Sequence, residues 1–306
     1  LDRRDFALDL VLPDAPGTVF LRERMGALGV RLHSLRRMGL AWPRRLGEAR
    51  RVLAAVGGDI LHLNLPSVYD GGVCSVAWAA RRAGYRRVVS TEHLPMVDRK
   101  YRQFPVKLFF TQWIDAVIVN TRSNRDLLVR RHGLDDGRIV VVDNGVEEAV
   151  PPPPAERAEL RRSWGANDET VVIGIVGRLT RRKGHHFLLE ALRPLAEERG
   201  LPPWVLVVVG DGEEGEALRA QGAALERAGR LVWLGHREDA PRLMHALDLL
   251  ALPSTIETMP FAIIEGMAAS LPVAASAIFG IPELIVHDET GLLLPPGDVE
   301  ELRRAL

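Results

Sequence analysis

The sequence predicts an α/β chain of two doubly wound, parallel-sheet domains, and three observations carry that expectation. Short β-rich runs alternate with longer amphipathic segments from end to end. A proline run breaks the pattern near the middle, and the two halves carry opposite charge. Such alternation is what a parallel sheet needs, because each crossover between strands must cover a sheet face.

In the first half the strand-like runs are 6–11, 30–35, 59–64, 87–91, 116–120 and 138–142, with helical stretches that include 44–56 and 122–131. Asn144-Gly145-Val146 then precede Pro151-Pro152-Pro153-Pro154. Four successive prolines favour an extended spacer and cannot join a central strand. The expected organisation is a domain over residues 1–146, a linker over 147–157 and a second domain over 158–306. In that second domain the strand runs are 171–176, 205–210, 231–234, 247–252, 273–276 and 292–294. Helices are expected at 184–199, 214–228, 240–246, 261–270 and 281–286. Asp298 heads a last segment with Glu301 at the spacing of a capping box.

Composition narrows the function classes. With 306 residues, 47% hydrophobic and 26% charged, the chain can bury two cores and is not a disordered polymer. No apolar run is long enough to span a bilayer. A lone cysteine, Cys74, excludes an internal disulfide framework and a multi-thiolate metal site. The formal charge of zero is a sum of unlike halves. Residues 1–150 carry 24 Lys/Arg against 17 Asp/Glu, and residues 151–306 carry 16 against 23. With neutral overall charge and no recognisable motif, nucleic-acid binding is not expected.

The second domain holds the chemistry. After the strand 171–176 comes Gly177-Arg178-Leu179-Thr180-Arg181-Arg182-Lys183-Gly184, opening a helix. Glycine at a strand end lets backbone approach a ligand, and cations beside a helix N-terminus favour an anion. Lysine is scarce: only Lys100, Lys107 and Lys183 occur among 40 basic residues. The chain keeps Lys where a compact point charge would meet a phosphate. The ordinary reading of such a loop is a solvated basic turn. Further on, Glu257 and Glu265 stand eight positions apart around the apolar run Phe261–Ile264. A carboxylate on the early turns of a buried helix needs a hydroxyl or cation partner.

Taken in order, Gly177-Arg178-Leu179…Lys183-Gly184, Val209-Gly210-Asp211-Gly212, Leu234-Gly235-His236, Pro253-Ser254, Glu257-x7-Glu265, Gly280-Ile281-Pro282-Glu283 and Gly291-Leu292-Leu293 resemble the family 4 glycosyltransferases, which use nucleotide sugars and retain anomeric configuration. The resemblance implies the GT-B fold, two Rossmann-like domains facing a cleft. It implies that Arg178 and Lys183 neutralise the donor diphosphate, with Gly177 allowing close approach. Glu265 would accept the ribose hydroxyls, and Glu257 would hold the hydroxyls of the donor sugar. The backbone at Gly235 and His236 would read the base, and Met259, Phe261 and Ala262 would also be donor-binding. Pro260 replaces the glycine of many relatives and has no N–H, so amides from Phe261 onward would serve. His93, in Ser90-Thr91-Glu92-His93, would contact the donor sugar from the first domain, the ordinary alternative being a surface-loop histidine.

No Asp-x-Asp occurs, so the resemblance implies Arg, Lys and helix dipole in place of a metal, with no cofactor. His185-His186 diverge on a helix and form no metal pair. The partners implied are a nucleotide-sugar donor and an unidentified acceptor: a sugar, a lipid-linked sugar or a small molecule. The location implied is cytoplasmic, with peripheral contact at the inner face of the cell membrane as an addition. The stretch Arg36-Arg37-Met38…Trp42-Pro43-Arg44-Arg45…Arg50-Arg51 reads first as a solvated helix face and second as a dock for anionic lipid. Aligned on the family, 6–11 matches the second strand, so the first strand of the first domain and the last crossing helix are expected to be missing from these residues. Two other readings share the page: a nucleotide-sugar epimerase of the same fold, and a non-catalytic relative.

Overall fold

The computed structural model describes residues 5–13, 15, 18–36, 42–65, 71–94 and 104–306. The chain divides into two compact units. One comprises residues up to Val119 together with Arg125–Val142; the other comprises Asn120–Asn124 and Asp143–Leu306.

The first unit runs β1 (Asp9–Pro13), α1 (Val19–Ala27), β2 (Arg31–Leu35), α2 (Trp42–Val56), β3 (Ile60–Leu65), α3 (Gly71–Arg82), β4 (Arg87–Glu92), α4 (Phe104–Thr111), β5 (Ala116–Val119), α5 (Arg122–His132, whose first three residues belong to the second unit) and β6 (Ile139–Val141). Every described strand pairing in it is parallel. The strands form two sheets, β1-β2 and β3-β4-β5-β6, rather than one. Among the described residues no pairing joins β1-β2 to β3-β4-β5-β6. One apolar cluster spans the unit, with Leu53 of α2, Ala77 of α3, Val88 of β4, Phe110 of α4 and Leu128 of α5. Val11 of β1 and Leu35 of β2 pack against it.

The second unit runs α6 (Pro154–Ser163), β7 (Val171–Val176), α7 (His185–Leu195), β8 (Trp204–Val209), α8 (Gly215–Arg227), β9 (Leu231–Gly235), α9 (Ala240–Met244), β10 (Leu249–Leu252), α10 (Phe261–Ala268), β11 (Val273–Ser276), β12 (Gly291–Leu294) and α11 (Val299–Ala305). Its six strands are parallel in the order β12-β11-β10-β7-β8-β9. That is the doubly wound order, reversing direction between β7 and β10, and ligands of such sheets sit beyond the strand ends at that reversal. Both faces carry helices, which is why all six residues of β8 are buried and the run reads as continuous hydrophobics.

Three details depart from the sequence expectation. The expected linker 147–157 ends inside α6, which begins at Pro154. A proline is tolerated there because the first helical N–H has no partner in any case. Helix α7 stops at Leu195 with Pro194 inside it, short of the expected residue 199. The helix expected at 281–286 is only a 3₁₀ turn, Ile281–Glu283. Pro282 removes a donor from it, and Glu283 is engaged elsewhere. Its carboxylate accepts the Arg122 N–H at 2.9 Å, the Ser123 N–H at 2.8 Å and the Ser123 hydroxyl at 2.5 Å. Those amides open α5, so Glu283 satisfies two first-turn donors there while the Thr121 hydroxyl accepts the Asn124 N–H at 3.1 Å.

Burial pushes the Glu283 carboxyl up, but the Ser123 and Arg122 bonds outweigh it and hold it below the usual carboxylate range. A group with a depressed folded pKa stabilises above its unfolded value and loses that stabilisation as pH falls through the folded one. Glu283→Gln is therefore expected to cost about 1–3 kcal/mol at neutral pH, a difference that closes on acidification below roughly pH 4. Chemical denaturation of both proteins across pH 3–7 measures it.

Candidate active site

The reversal between β7 and β10 brings two loops together, and glycines make the approach possible. Gly184 has φ of +75°, and a Cβ there would lie 1.9 Å from the Pro253 carbonyl oxygen. Gly210, after β8, has φ of +144°, and its Cβ would meet the Gly177 carbonyl oxygen at 1.9 Å. Backbone bonds tie the same loops. Gly177 N–H donates to Val209 at 2.9 Å, Leu179 N–H to Asp211 at 3.0 Å, and Thr255 N–H to Arg182 at 2.8 Å. Gly210 N–H donates to Gly235 at 2.8 Å, so the loops after β7, β8, β9 and β10 form one bonded rim.

On that rim the structure joins two residues singled out by sequence. Lys183 Nζ lies 2.5 Å from Glu257 Oε1, with side chains 13% and 6% exposed. The Ser254 hydroxyl donates to the same oxygen at 3.1 Å. Sequence reasoning gave Lys183 to a phosphate and Glu257 to a sugar; in this structure each holds the other. An ammonium has three donors, so one can face Glu257 while others remain for an anion. The contribution of Ser254 was not foreseen, although Pro253-Ser254 belongs to the motif series.

Helix α10 supplies the second part. Pro260 is its N-cap residue and offers no side-chain cap, so the first-turn amides of Phe261 and Ala262 are left for a ligand. Phe261 is exposed, while Met259 and Ala262 are buried. Met259 is fixed by Asn144, whose side-chain amide donates to the Met259 carbonyl at 2.8 Å. Glu265, half-buried on α10, has no hydrogen-bond or ion-pair partner among the described residues, and burial raises its carboxyl above the ordinary range. A half-buried carboxyl without donors is what a ligand hydroxyl would complete. Arg178 and His236 are exposed on the rim, and Gly235 has φ of +67°. No group of three or more His, Cys, Asp or Glu side chains that could hold a metal ion occurs among the described residues.

His93 belongs to the first unit. It is exposed, and its Nε2 is 3.2 Å from Asn64 Oδ1. Beside it, His62 Nε2 is 2.7 Å from Thr91 Oγ1, a hydrogen bond between the neighbouring strands β3 and β4. Burial, then the positive field of His93, depress His62, which favours its neutral form. Of the basic stretch, residues 37–41 lie outside the described residues; on α2, Arg44, Arg50 and Arg51 are exposed.

Two family models cover the chain between them: "Glycosyltransferase Family 4" matches residues 1–150 and "Glycosyl transferases group 1" matches residues 156–306. The chain belongs to the family 4 glycosyltransferases. Similar curated proteins include UDP-Gal:alpha-D-GlcNAc-diphosphoundecaprenol alpha-1,3-galactosyltransferase of Escherichia coli, 31% identical over 74% of this chain and 61% of that protein. D-inositol 3-phosphate glycosyltransferase of Mycobacteroides abscessus is 32% identical over 63% of this chain and 43% of its own length. The chain thus spans about two fifths to three fifths of the length of these curated relatives. Among solved structures, Anabaena HepE in complex with UDP superposes with a TM-score of 0.78 at 22% identity, covering 96% of this chain and 80% of that one. That likeness establishes a GT-B glycosyltransferase fold, in agreement with the doubly wound second unit. No helix among the described residues is long and apolar enough to cross a membrane.

Proposed function

We propose that this glycosyltransferase-family chain serves a retaining transferase that moves a sugar from a nucleoside-diphosphate donor, UDP- or GDP-linked, to an acceptor hydroxyl. The observation that carries the reading is the Lys183–Glu257 pair at the sheet reversal, beside the open first turn of α10. Lys183, with Arg178, would balance the diphosphate, and the Phe261 and Ala262 amides would receive its oxygens. Glu265 would accept ribose hydroxyls and Glu257 those of the donor sugar. Backbone at Gly235 and His236 would face the base, and Gly177 would let the chain approach the phosphates. The Escherichia coli relative is named for a UDP-Gal donor, and Anabaena HepE has been captured with UDP and UDP-glucose, which supports a nucleotide-sugar donor.

In the transfer itself the acceptor oxygen bonds to the anomeric carbon as that carbon's bond to the diphosphate breaks. The diphosphate leaves with the electron pair, and one of its oxygens takes the acceptor proton on the same face. No enzyme carboxylate need become glycosylated, and charge on the leaving group is met by Lys183 and Arg178 rather than by a metal. The acceptor would be a sugar, a lipid-linked sugar or a small molecule. For a lipid-linked one, exposed Arg44, Arg50 and Arg51 would meet the bilayer, and co-sedimentation with anionic but not neutral vesicles tests that contact.

Isothermal titration with UDP and with GDP tests the donor reading: one of them is expected to bind, and absence of both overturns it. Glu265→Gln is expected to weaken the bound nucleotide by roughly tenfold, the effect of a charged hydrogen bond. Because burial raises the Glu265 carboxyl, it protonates earlier than an ordinary glutamate on acidification. Nucleotide affinity is therefore expected to decline from above the usual carboxylate range in the unaltered chain, and more weakly in Glu265→Gln. Titrations between pH 4.5 and 7.5 follow both.

A further inference from the structure

The Glu257 loop is braced by residues remote in sequence. Asn120, which follows β5, and Thr258 are both 4% exposed, and the Asn120 side-chain amide donates to the Thr258 hydroxyl at 3.1 Å, 138 positions away. Thr258 adjoins Glu257, whose carboxylate meets Lys183. The segment carrying Asn120 is itself fixed: Glu283 takes the Arg122 and Ser123 amides, and the Ser123 hydroxyl also lies 3.1 Å from the Phe279 carbonyl oxygen. Space between these pieces is minimal. A Cβ on Gly280 would lie 2.2 Å from Thr121 Cγ2 and 2.4 Å from the Thr258 carbonyl oxygen. Residues 120–123, 257–259 and 279–283 are thus packed together, and the middle piece carries Glu257 to Lys183.

We infer that Asn120 is a positioning residue for the donor site: its amide holds Thr258 and so sets where the neighbouring Glu257 presents its carboxylate. The inference rests on the donor reading above only for its consequence, not for the bracing. A buried hydrogen bond to a hydroxyl fixes a loop more strictly than apolar packing, because its geometry tolerates little displacement. The Gly280-Ile281-Pro282-Glu283 motif acquires a role as the seat of the bracing segment.

The test compares Asn120→Ala, Thr258→Val, Thr258→Ser and the double variant Asn120→Ala/Thr258→Val. In the free protein, hydrogen exchange of amides 254–262 is expected to accelerate at least tenfold in Asn120→Ala and in Thr258→Val. Thr258→Ser, which keeps the hydroxyl, is expected to match the unaltered chain. Nucleotide-sugar KM is expected to rise by about tenfold in the two disruptive variants with kcat changed less than threefold. The double variant is expected to be no worse than either single one, since both remove one bond. Unchanged exchange in Asn120→Ala overturns the inference, as does an additive double variant or a loss of thermal stability with exchange at 254–262 and KM unchanged. Faster exchange in a chain that binds neither UDP nor GDP leaves the bracing standing and overturns the donor reading instead.

Discussion

Lys183→Ala is expected to lose both nucleotide binding and stability, the two losses having separate causes. The binding loss follows from removing the compact cation at the sheet reversal. Donors aimed at developing charge are worth about 10²–10³ in rate, so sugar transfer is expected to fall by at least that factor. The stability loss follows from the partner left behind. Glu257 is 6% exposed on its side chain and would retain only the Ser254 hydroxyl of the two groups it meets. Breaking a buried pair by removing one member costs about 3–5 kcal/mol, because the other charge stays buried and uncompensated. That corresponds to a melting temperature lower by roughly 6–20 °C for a unit of this size. Lys183→Ala combined with Glu257→Gln is expected to recover most of the stability and none of the transfer. Thermal melts and nucleotide titrations of the single and double variants separate the two effects, and equal stability of Lys183→Ala and the unaltered chain sinks the argument.

Gly184→Ala is expected to damage the site without touching any ligand. A left-handed backbone costs a non-glycine residue about 1–2 kcal/mol. The larger consequence is spatial, since the new methyl would sit 1.9 Å from the Pro253 carbonyl oxygen. The two nearest atoms, the Pro253 carbonyl oxygen and carbon, are backbone, so relief requires the loop after β7 to part from the loop after β10. Lys183 stands on the first and Glu257 on the second. The expected result is a loss of about 2–5 kcal/mol, with nucleotide affinity lost in whatever fraction remains folded. Gly200→Ala makes the comparison: its φ is +91°, yet nothing lies within 4 Å of the added carbon. Only the conformational part of the penalty is expected there, with nucleotide binding intact, as denaturant melts and titration would record.

Much of the second unit was legible in its sequence because its local signals agree. Both faces of its sheet are covered, so strands read as apolar runs, and glycines mark the places where loops meet. The Asp298 cap was equally readable, and the Asp298 carboxylate does accept the Glu301 N–H at 3.0 Å. Less was legible where a residue's partner lies far along the chain. Ile281–Val286 has an apolar helical look, and nothing nearby reveals that Glu283 serves Arg122 and Ser123. The bond from Asn120 to Thr258 is invisible for the same reason. At the candidate site the residue types were readable, but their mutual contacts were not. Lys183 and Glu257 were assigned to different parts of a ligand, and spacing alone could not state that they touch. In the first unit, the division of strands into two sheets reflects which strands find neighbours, a property that alternation along the chain does not encode.

The contact between Glu283 and α5 has a consequence for the order in which the chain acquires its structure. Ser123 and its acceptor are separated by 160 positions. At a synthesis rate of about 5–20 residues per second, the opening turn of α5 waits roughly 8–32 s for its acceptor to be made. During that interval the Arg122 and Ser123 amides are expected to bond water in place of the Glu283 carboxylate, while the Thr121 hydroxyl is already at hand for the Asn124 N–H. In a chain paused on the ribosome between these two points, residues 120–124 are expected to be cut more readily, and nascent-chain proteolysis at that segment would report when residue 283 has arrived.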